Sequence, residues 1–332
     1  MKKIKIRNIV LLVILFLISG QACAQYFMSG QEPASTKWKQ INTNHFQLIF
    51  PENFTEKAGY IANILEYSYD KVSNSMEHQP GKVSVIIHNK SVTSNGFVAP
   101  APHRMELYSV PPQDNNPMPW LEYLCIHEIR HWVQIDKLNQ GLTKVLNYIF
   151  GEQATAVVAG LLPMWYLEGD AVISETVLTE DGRGRIPDFT KVIRSRLRDS
   201  ILLYSFDKML LGSYKNNTPD HYELGYHMAS YARNQYGAKL WQNIENHVAQ
   251  KPFQVASFNF GLNRFTGGYS AEIYDSAMTF YERYYSNGAE NANQKDAQEV
   301  KTENHNSYLS YRYPRYTENG SILALKKDYS RI

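Results

Sequence analysis

Cysteine is nearly missing from this sequence, with two residues in 332, Cys23 and Cys125. Cys23 lies inside an N-terminal targeting segment, which leaves Cys125 alone and excludes an intrachain disulfide framework. An excess of one charge is missing too. Setting aside Lys2, Lys3, Lys5 and Arg7 with that segment takes the basic residues from 34 to 30, against 32 acidic ones. The resulting balance of −2 leaves no electrostatic footprint for nucleic acid. The apolar run Ile9–Ile18 is too short to span a bilayer as a permanent helix. What is present suits a folded protein: 43% hydrophobic and 20% charged residues exclude global disorder, and 332 residues suit about two domains.

Residues 1–24 read as a signal peptide. A basic start precedes the apolar run, and Ala22-Cys23-Ala24 supplies a small-x-small cleavage pattern. The expectation is an exported bacterial protein of the periplasm or cell envelope, with the outer membrane as one place of residence. Cys23 also admits a lipoprotein reading, although Gly20-Gln21-Ala22 lacks the leucine of a lipobox.

Residues 25–117 read as an α/β portion. Phe46, Leu48 and Phe50 alternate on a strand over His45–Phe50, and Val83–Ile87 and Met105–Val110 predict two more. Asn53 followed by Glu56 reads as a capping box for a helix carrying Ala58, Ile61, Leu65 and Val72. Ser94-Asn95-Gly96 and the prolines at 100 and 102 mark turns. Residues 118–285 read as mostly helical, with stretches near 120–135, 164–178, 188–204, 221–236 and 271–285, the first with Pro119 in its opening turn. Residues 286–306 have the composition of a linker, Val300 being the one apolar side chain there larger than alanine. Residues 307–332 predict two strands around Asn319-Gly320, the start of a further β domain.

The chemistry concentrates at His127-Glu128-Ile129-Arg130-His131. Residues four apart share one helix face, so His127 and His131 can offer two imidazole nitrogens to one ion. Glu128, turned about 100° from His127, can reach an attacking water without ligating the metal. The motif interrupts a helix whose Trp120, Leu124, Ile126, Ile129, Trp132 and Val133 are spread around its circumference, the pattern of a buried helix. Burying two imidazoles and a carboxylate without partners costs roughly 1–3 kcal/mol per group, and more for a charge. A metal resolves that cost; a hydrogen-bonded core cluster without metal is the alternative.

A catalytic zinc needs a third protein ligand and leaves its fourth position to water. Glu168 and Glu175 stand seven apart, on one face of a helix opening at Pro163. Glu168 is favoured as ligand because Gly169 beside it permits close approach of another backbone. Glu175 either orients a histidine from behind or is an exposed charge near a helix end, and Asp170 points away from that face.

These two segments, His127–His131 and Trp165–Glu175, resemble the gluzincin zinc metallopeptidases, especially peptidase-MA-like proteins and more distantly M1 aminopeptidases. The resemblance covers residues 45–285. It implies an α+β, zincin-like metallopeptidase domain with a small N-terminal mixed sheet and a mostly helical C-terminal portion. It also implies that Glu168 is the third zinc ligand. Tyr222-Glu223-Leu224-Gly225 is similar to a Tyr-Glu-x-Gly segment whose tyrosine hydroxyl stabilises the tetrahedral intermediate, a role that would fall to Tyr222. In a chain with 24 tyrosines, a packed tyrosine at a helix start stays open as the alternative.

There are departures. The third ligand lies about twice as far beyond the second histidine as in M1 enzymes. The intervening Leu142–Leu162 segment either covers the site or packs beside it. The Gly-x-Met-Glu-Asn segment that holds a substrate's free amine is absent, with only Met105-Glu106 similar to it. Pro314–Leu325 is similar to the opening of a TolB-type β-propeller repeat.

The expectation is therefore a zinc-dependent peptidase: Zn²⁺ on His127, His131 and Glu168, Glu128 as general base and Tyr222 as oxyanion donor. Its substrate is a peptide or protein, laid as an added strand along Met105–Val110. The competing expectation is a non-catalytic envelope binding protein on a peptidase-like scaffold, with a following propeller making the contacts.

Overall fold

The computed structural model describes residues 32–112, 118–198, 203–287 and 308–328. Residues 1–24, read as a signal peptide and containing Cys23, and nearly all of the 286–306 stretch lie outside these. The fold is α+β, with an N-terminal five-stranded mixed sheet and a mostly helical remainder.

The sheet is built from β1 (Trp38–Asn42), β2 (Phe46–Pro51), β3 (Val83–His88), β4 (Gly96–Pro100) and β5 (His103–Tyr108), in the order β1-β2-β3-β5-β4. The β2–β3 and β3–β5 pairs are parallel, and both ends of the sheet are antiparallel. The period-2 pattern holds: Phe46, Leu48 and Phe50 are buried, as are Val83, Val85 and Ile87. Helix α1 (Thr55–Asn74) lies against this face through Ala58, Ile61, Leu65 and Val72.

Three local readings need correction. The capping box does not form: Asn53 sits in a 3-10 turn over Glu52–Phe54, and its Oδ1 accepts from Asn89 Nδ2 at 3.1 Å. The prolines at 100 and 102 do mark a turn, at residues 101–102, but between the turn signals Gly96–Pro100 forms a strand that pairs along β5 and was not predicted. Finally, β5 is flanked by β3 and β4, so no substrate can add to it as a strand; β4 is the end strand.

The helices are α2 (Trp120–Lys137), α3 (Gly141–Phe150), α4 (Glu152–Ala159), α5 (Met164–Leu178), α6 (Lys191–Arg198), α7 (Phe206–Leu211), α8 (His221–Tyr236), α9 (Leu240–Gln250), α10 (Ser257–Thr266) and α11 (Ser270–Asn287). Pro119 caps α2 from just outside its first turn. Of the 188–204 stretch, the described part is helical over α6. Helices α7, α9 and α10 lie outside the stretches read as helical, although α9 buries Leu240, Trp241, Ile244 and Val248 at helical spacing. Trp132 of α2 meets Phe46 and Tyr69 at ring separations of 5.2 and 5.7 Å, which fixes the motif helix against the sheet's core. Strands β6 (Leu309–Tyr316) and β7 (Ile322–Asp328) pair as an antiparallel hairpin around Asn319-Gly320. Among the described residues no single helix is long and apolar enough to cross a membrane.

Candidate metal centre

His127 and His131 lie one turn apart on α2, with their Nε2 atoms 3.1 Å from each other. Glu168, on α5, brings Oε2 to 3.1 Å from His127 Nε2 and 3.2 Å from His131 Nε2. The three donor atoms form a nearly equilateral triangle. Ligand atoms on a tetrahedral zinc with bonds of about 2.0–2.1 Å stand roughly 3.3–3.4 Å apart. The triangle is thus close to one face of such a tetrahedron, and this group of buried and half-buried side chains can hold a metal ion.

The electrostatics fit a cation. Burial alone would lower the pKa of His127, but hydrogen bonds to Glu168 and Glu175 raise it to about 9. Burial would raise Glu168, yet His131 and His127 hold it well below the usual carboxylate range. Burial raises Glu128, with the two imidazoles pulling the other way. Glu128 Oε2 is buried without a protein partner. Three carboxylates around two imidazoles, one with an orphaned oxygen, suit a divalent ion with a water beside it.

Each histidine is oriented from behind. His131 Nδ1 lies 3.1 Å from Gln134 Oε1, Gln134 Nε2 donates to Asp170 Oδ2 at 2.9 Å, and Arg130 Nε donates to the same oxygen at 2.6 Å. His127 Nδ1 lies 3.4 Å from Glu175 Oε2. A proton on His131 Nδ1, donated to Gln134 Oε1, leaves His131 Nε2 free to ligate, while His127 Nδ1 faces both Glu175 Oε2 and an N–H of Arg183 Nη2 at 3.0 Å. Glu175 is fully buried, so its reading as an exposed charge is overturned. Asp170 points away from the metal ligands, as expected, and pairs with Arg130 of the motif itself.

Glu168 and Tyr222 are brought together by a crossing of α5 and α8. An added Cβ at Gly169 would collide with the Gly225 backbone, and one at Gly225 with the Trp165 carbonyl. The two helices therefore touch backbone to backbone, which only glycine permits. Asp220 Oδ1 caps α8 by accepting from Glu223 N–H at 2.8 Å. Tyr222 then falls in the first turn, its ring 6.2 Å from that of His127.

A cavity of about 580 Å³ opens over the triangle, and Glu128 and Tyr222 line it with His127, His131 and Glu168. Gly96, Phe97 and Val98 of β4 form one wall, and a Cβ added at Gly96 would stand 2.7 Å from Glu128 Oε1. The Leu142–Leu162 segment does not line the cavity; it forms α3 and α4, packed beside α9, α2 and β4. Glu106 is also outside the cavity wall, buried and bonded to His88 at 2.9 Å and Arg104 at 2.6 Å, so it is not placed to hold a substrate amine. Sequence reasoning missed Gln134, Tyr123 and Arg183. The glycines on either side of Arg183 were the available signal.

No family model matches this sequence, and no curated protein matches it. Among solved structures, an aminopeptidase N family protein from Idiomarina loihiensis is similar with a TM-score of 0.42 and 11% identity, over 73% of this chain and 46% of that one. The chain spans less than half the length of that protein, so the basis for assigning a function is the geometry of the site itself.

Proposed function

We propose that this chain is a zinc-dependent peptidase working outside the cytoplasm, and that His127, His131, Glu168, Glu128 and Tyr222 are its working residues. The observation that carries the reading is the His127–His131–Glu168 triangle with a partnerless carboxylate oxygen of Glu128 beside it. A zinc ion held there would supply the Lewis acidity that activates water and polarises a carbonyl.

The chain's own residues account for the rest. Glu128, which lines the cavity and whose Oε2 has no protein partner, takes the proton of the attacking water and returns it to the leaving amine. Tyr222 keeps its phenol protonated, since burial raises its pKa, and a protonated hydroxyl donates to the developing oxyanion. Strand β4 is paired by β5 on one side and lines the cavity, so it offers the backbone groups along which an extended peptide can lie. Phe97, Trp120, Leu167 and Phe189 make the wall largely apolar, which favours apolar side chains next to the scissile bond.

The test measures zinc stoichiometry and peptide hydrolysis for the exported form and for Glu128→Gln. One equivalent of zinc in both, with hydrolysis only in the parent, supports the peptidase. Absence of zinc in both would sink it. Zinc without hydrolysis across a broad peptide library would favour the binding-protein reading.

A further inference from the structure

The 3-10 turn at Arg183–Arg185 occupies a cramped place between α5 and α8. An added Cβ at Gly182 would collide with the backbone of Glu175 and Thr176, and one at Gly184 with the ring of Tyr226. The turn is tied down further: Gly184 N–H donates to Thr176 Oγ1 at 3.0 Å and Arg185 Nε to the Thr176 carbonyl at 3.2 Å. Two glycines thus let the backbone press into the groove and drive the Arg183 side chain toward the metal ligands.

Its guanidinium ends among the groups that flank them. Nε donates to Glu175 Oε1 at 2.7 Å and Nη2 to Oε2 at 3.4 Å, with Nη2 also 3.0 Å from His127 Nδ1. The guanidinium carbon lies 4.7 Å from the ring centre of Tyr222 and 4.8 Å from that of Tyr123. Tyr123 is in turn stacked on His127 at 5.9 Å. One planar cation therefore touches the carboxylate behind the first ligand and the ring of the candidate oxyanion donor.

We infer that Arg183 is a positioning residue that fixes Tyr222 and the His127–Glu175 pair in one register. The inference rests on the hydrolase reading for its effect on turnover, but not for its effect on metal binding. A lysine keeps the charge and loses both the forked contact to Glu175 and the flat face toward the two rings. Charge alone is therefore insufficient.

The test compares Arg183→Ala, Arg183→Lys and Tyr123→Leu with the parent chain. Zinc affinity of the metal-free proteins is measured by competition with a chromophoric chelator, and kcat and KM with a peptide substrate. Both Arg183 variants should bind zinc about 10–100-fold more weakly, lose kcat more than KM, and show no rescue by lysine. Guanidinium in the buffer should restore part of the kcat of Arg183→Ala. Tyr123→Leu keeps the ion pair and should lose kcat with little change in zinc affinity, and it serves if the Arg183 variants do not fold. Parent-like zinc affinity in Arg183→Ala, full rescue by lysine, or parent-like kcat in Tyr123→Leu would overturn the inference. A parent that binds zinc and hydrolyses nothing would count against the proposed function alone, since the zinc arm still tests Arg183.

Discussion

Tyr222 and His227 lie on neighbouring turns of α8 and make separable predictions. If Tyr222 donates to the oxyanion, Tyr222→Phe removes one hydroxyl and nothing else from the cavity wall. The expected loss in kcat is roughly 10²–10³-fold, with zinc stoichiometry kept; a loss confined to KM would assign Tyr222 to binding instead. His227 is fully buried, with Nδ1–H donating to the Glu223 carbonyl at 2.8 Å and Nε2 accepting from Tyr285 Oη at 2.9 Å. Burial lowers its pKa from 6.5 to about 4. Between those values the unfolded chain binds a proton that the folded one does not. This group's stabilising contribution is thus complete above pH 6.5 and lost as pH falls toward 4. Glu223 acts in the opposite sense, since burial raises its pKa to about 8 and its contribution falls as pH rises from 4.5. Chemical denaturation of the parent and His227→Gln across pH 4–7 isolates the histidine: the difference in stability should narrow on acidification. Parallel curves would rule out this titration.

Two devices act at the scale of whole elements. The glycine crossing sets α5 against α8 and so sets Glu168 against Tyr222. Gly225→Ala forces a methyl group onto the Trp165 carbonyl, which should cost about 1–3 kcal/mol of stability. It should also weaken zinc binding as α5 shifts, measured by thermal melts with and without zinc. The second device is the Arg130–Asp170 pair, fully buried between α2 and α5. Removing one partner leaves a buried charge unpaired, so Asp170→Ala should destabilise the protein by about 3–5 kcal/mol. Denaturant midpoints decide this. A double variant with apolar residues at both positions should recover part of the loss, because no charge then remains buried.

At the scale of the molecule, the candidate metal centre joins α2 to α5, and a bound ion should therefore hold the fold together. Ligand binding to the native state alone adds about 2.7 kcal/mol when free ligand is one hundred times its dissociation constant. Zinc removal with a chelator should lower the melting temperature of the parent. It should leave His131→Ala nearly unchanged, because that chain has lost one of three ligands. Equal shifts in both would place the stabilising metal elsewhere.

Much of this was legible in the residues. The His127–His131 spacing and the apolar surroundings of α2 placed two imidazoles and the Glu128 carboxylate on one buried helix, since helical periodicity is local and i,i+4 contact needs no tertiary information. Alternation did the same for β2 and β3, whose buried face shows at every second residue. Strand β4 was not predicted because its end residues, Gly96 and Pro100, carry turn signals, and only pairing with β5 reveals it. The amino-acid sequence by itself thus determined the elements that announce themselves by period, and the donor types on α2 and α5. The tertiary structure alone decided that Glu175 is buried behind His127 and that β4, not β5, walls the cavity. It also placed Arg183 between α5 and α8, where it meets Glu175 and Tyr222. Those facts depend on which backbones approach one another, and close approach is a property of packed pairs that no single segment encodes.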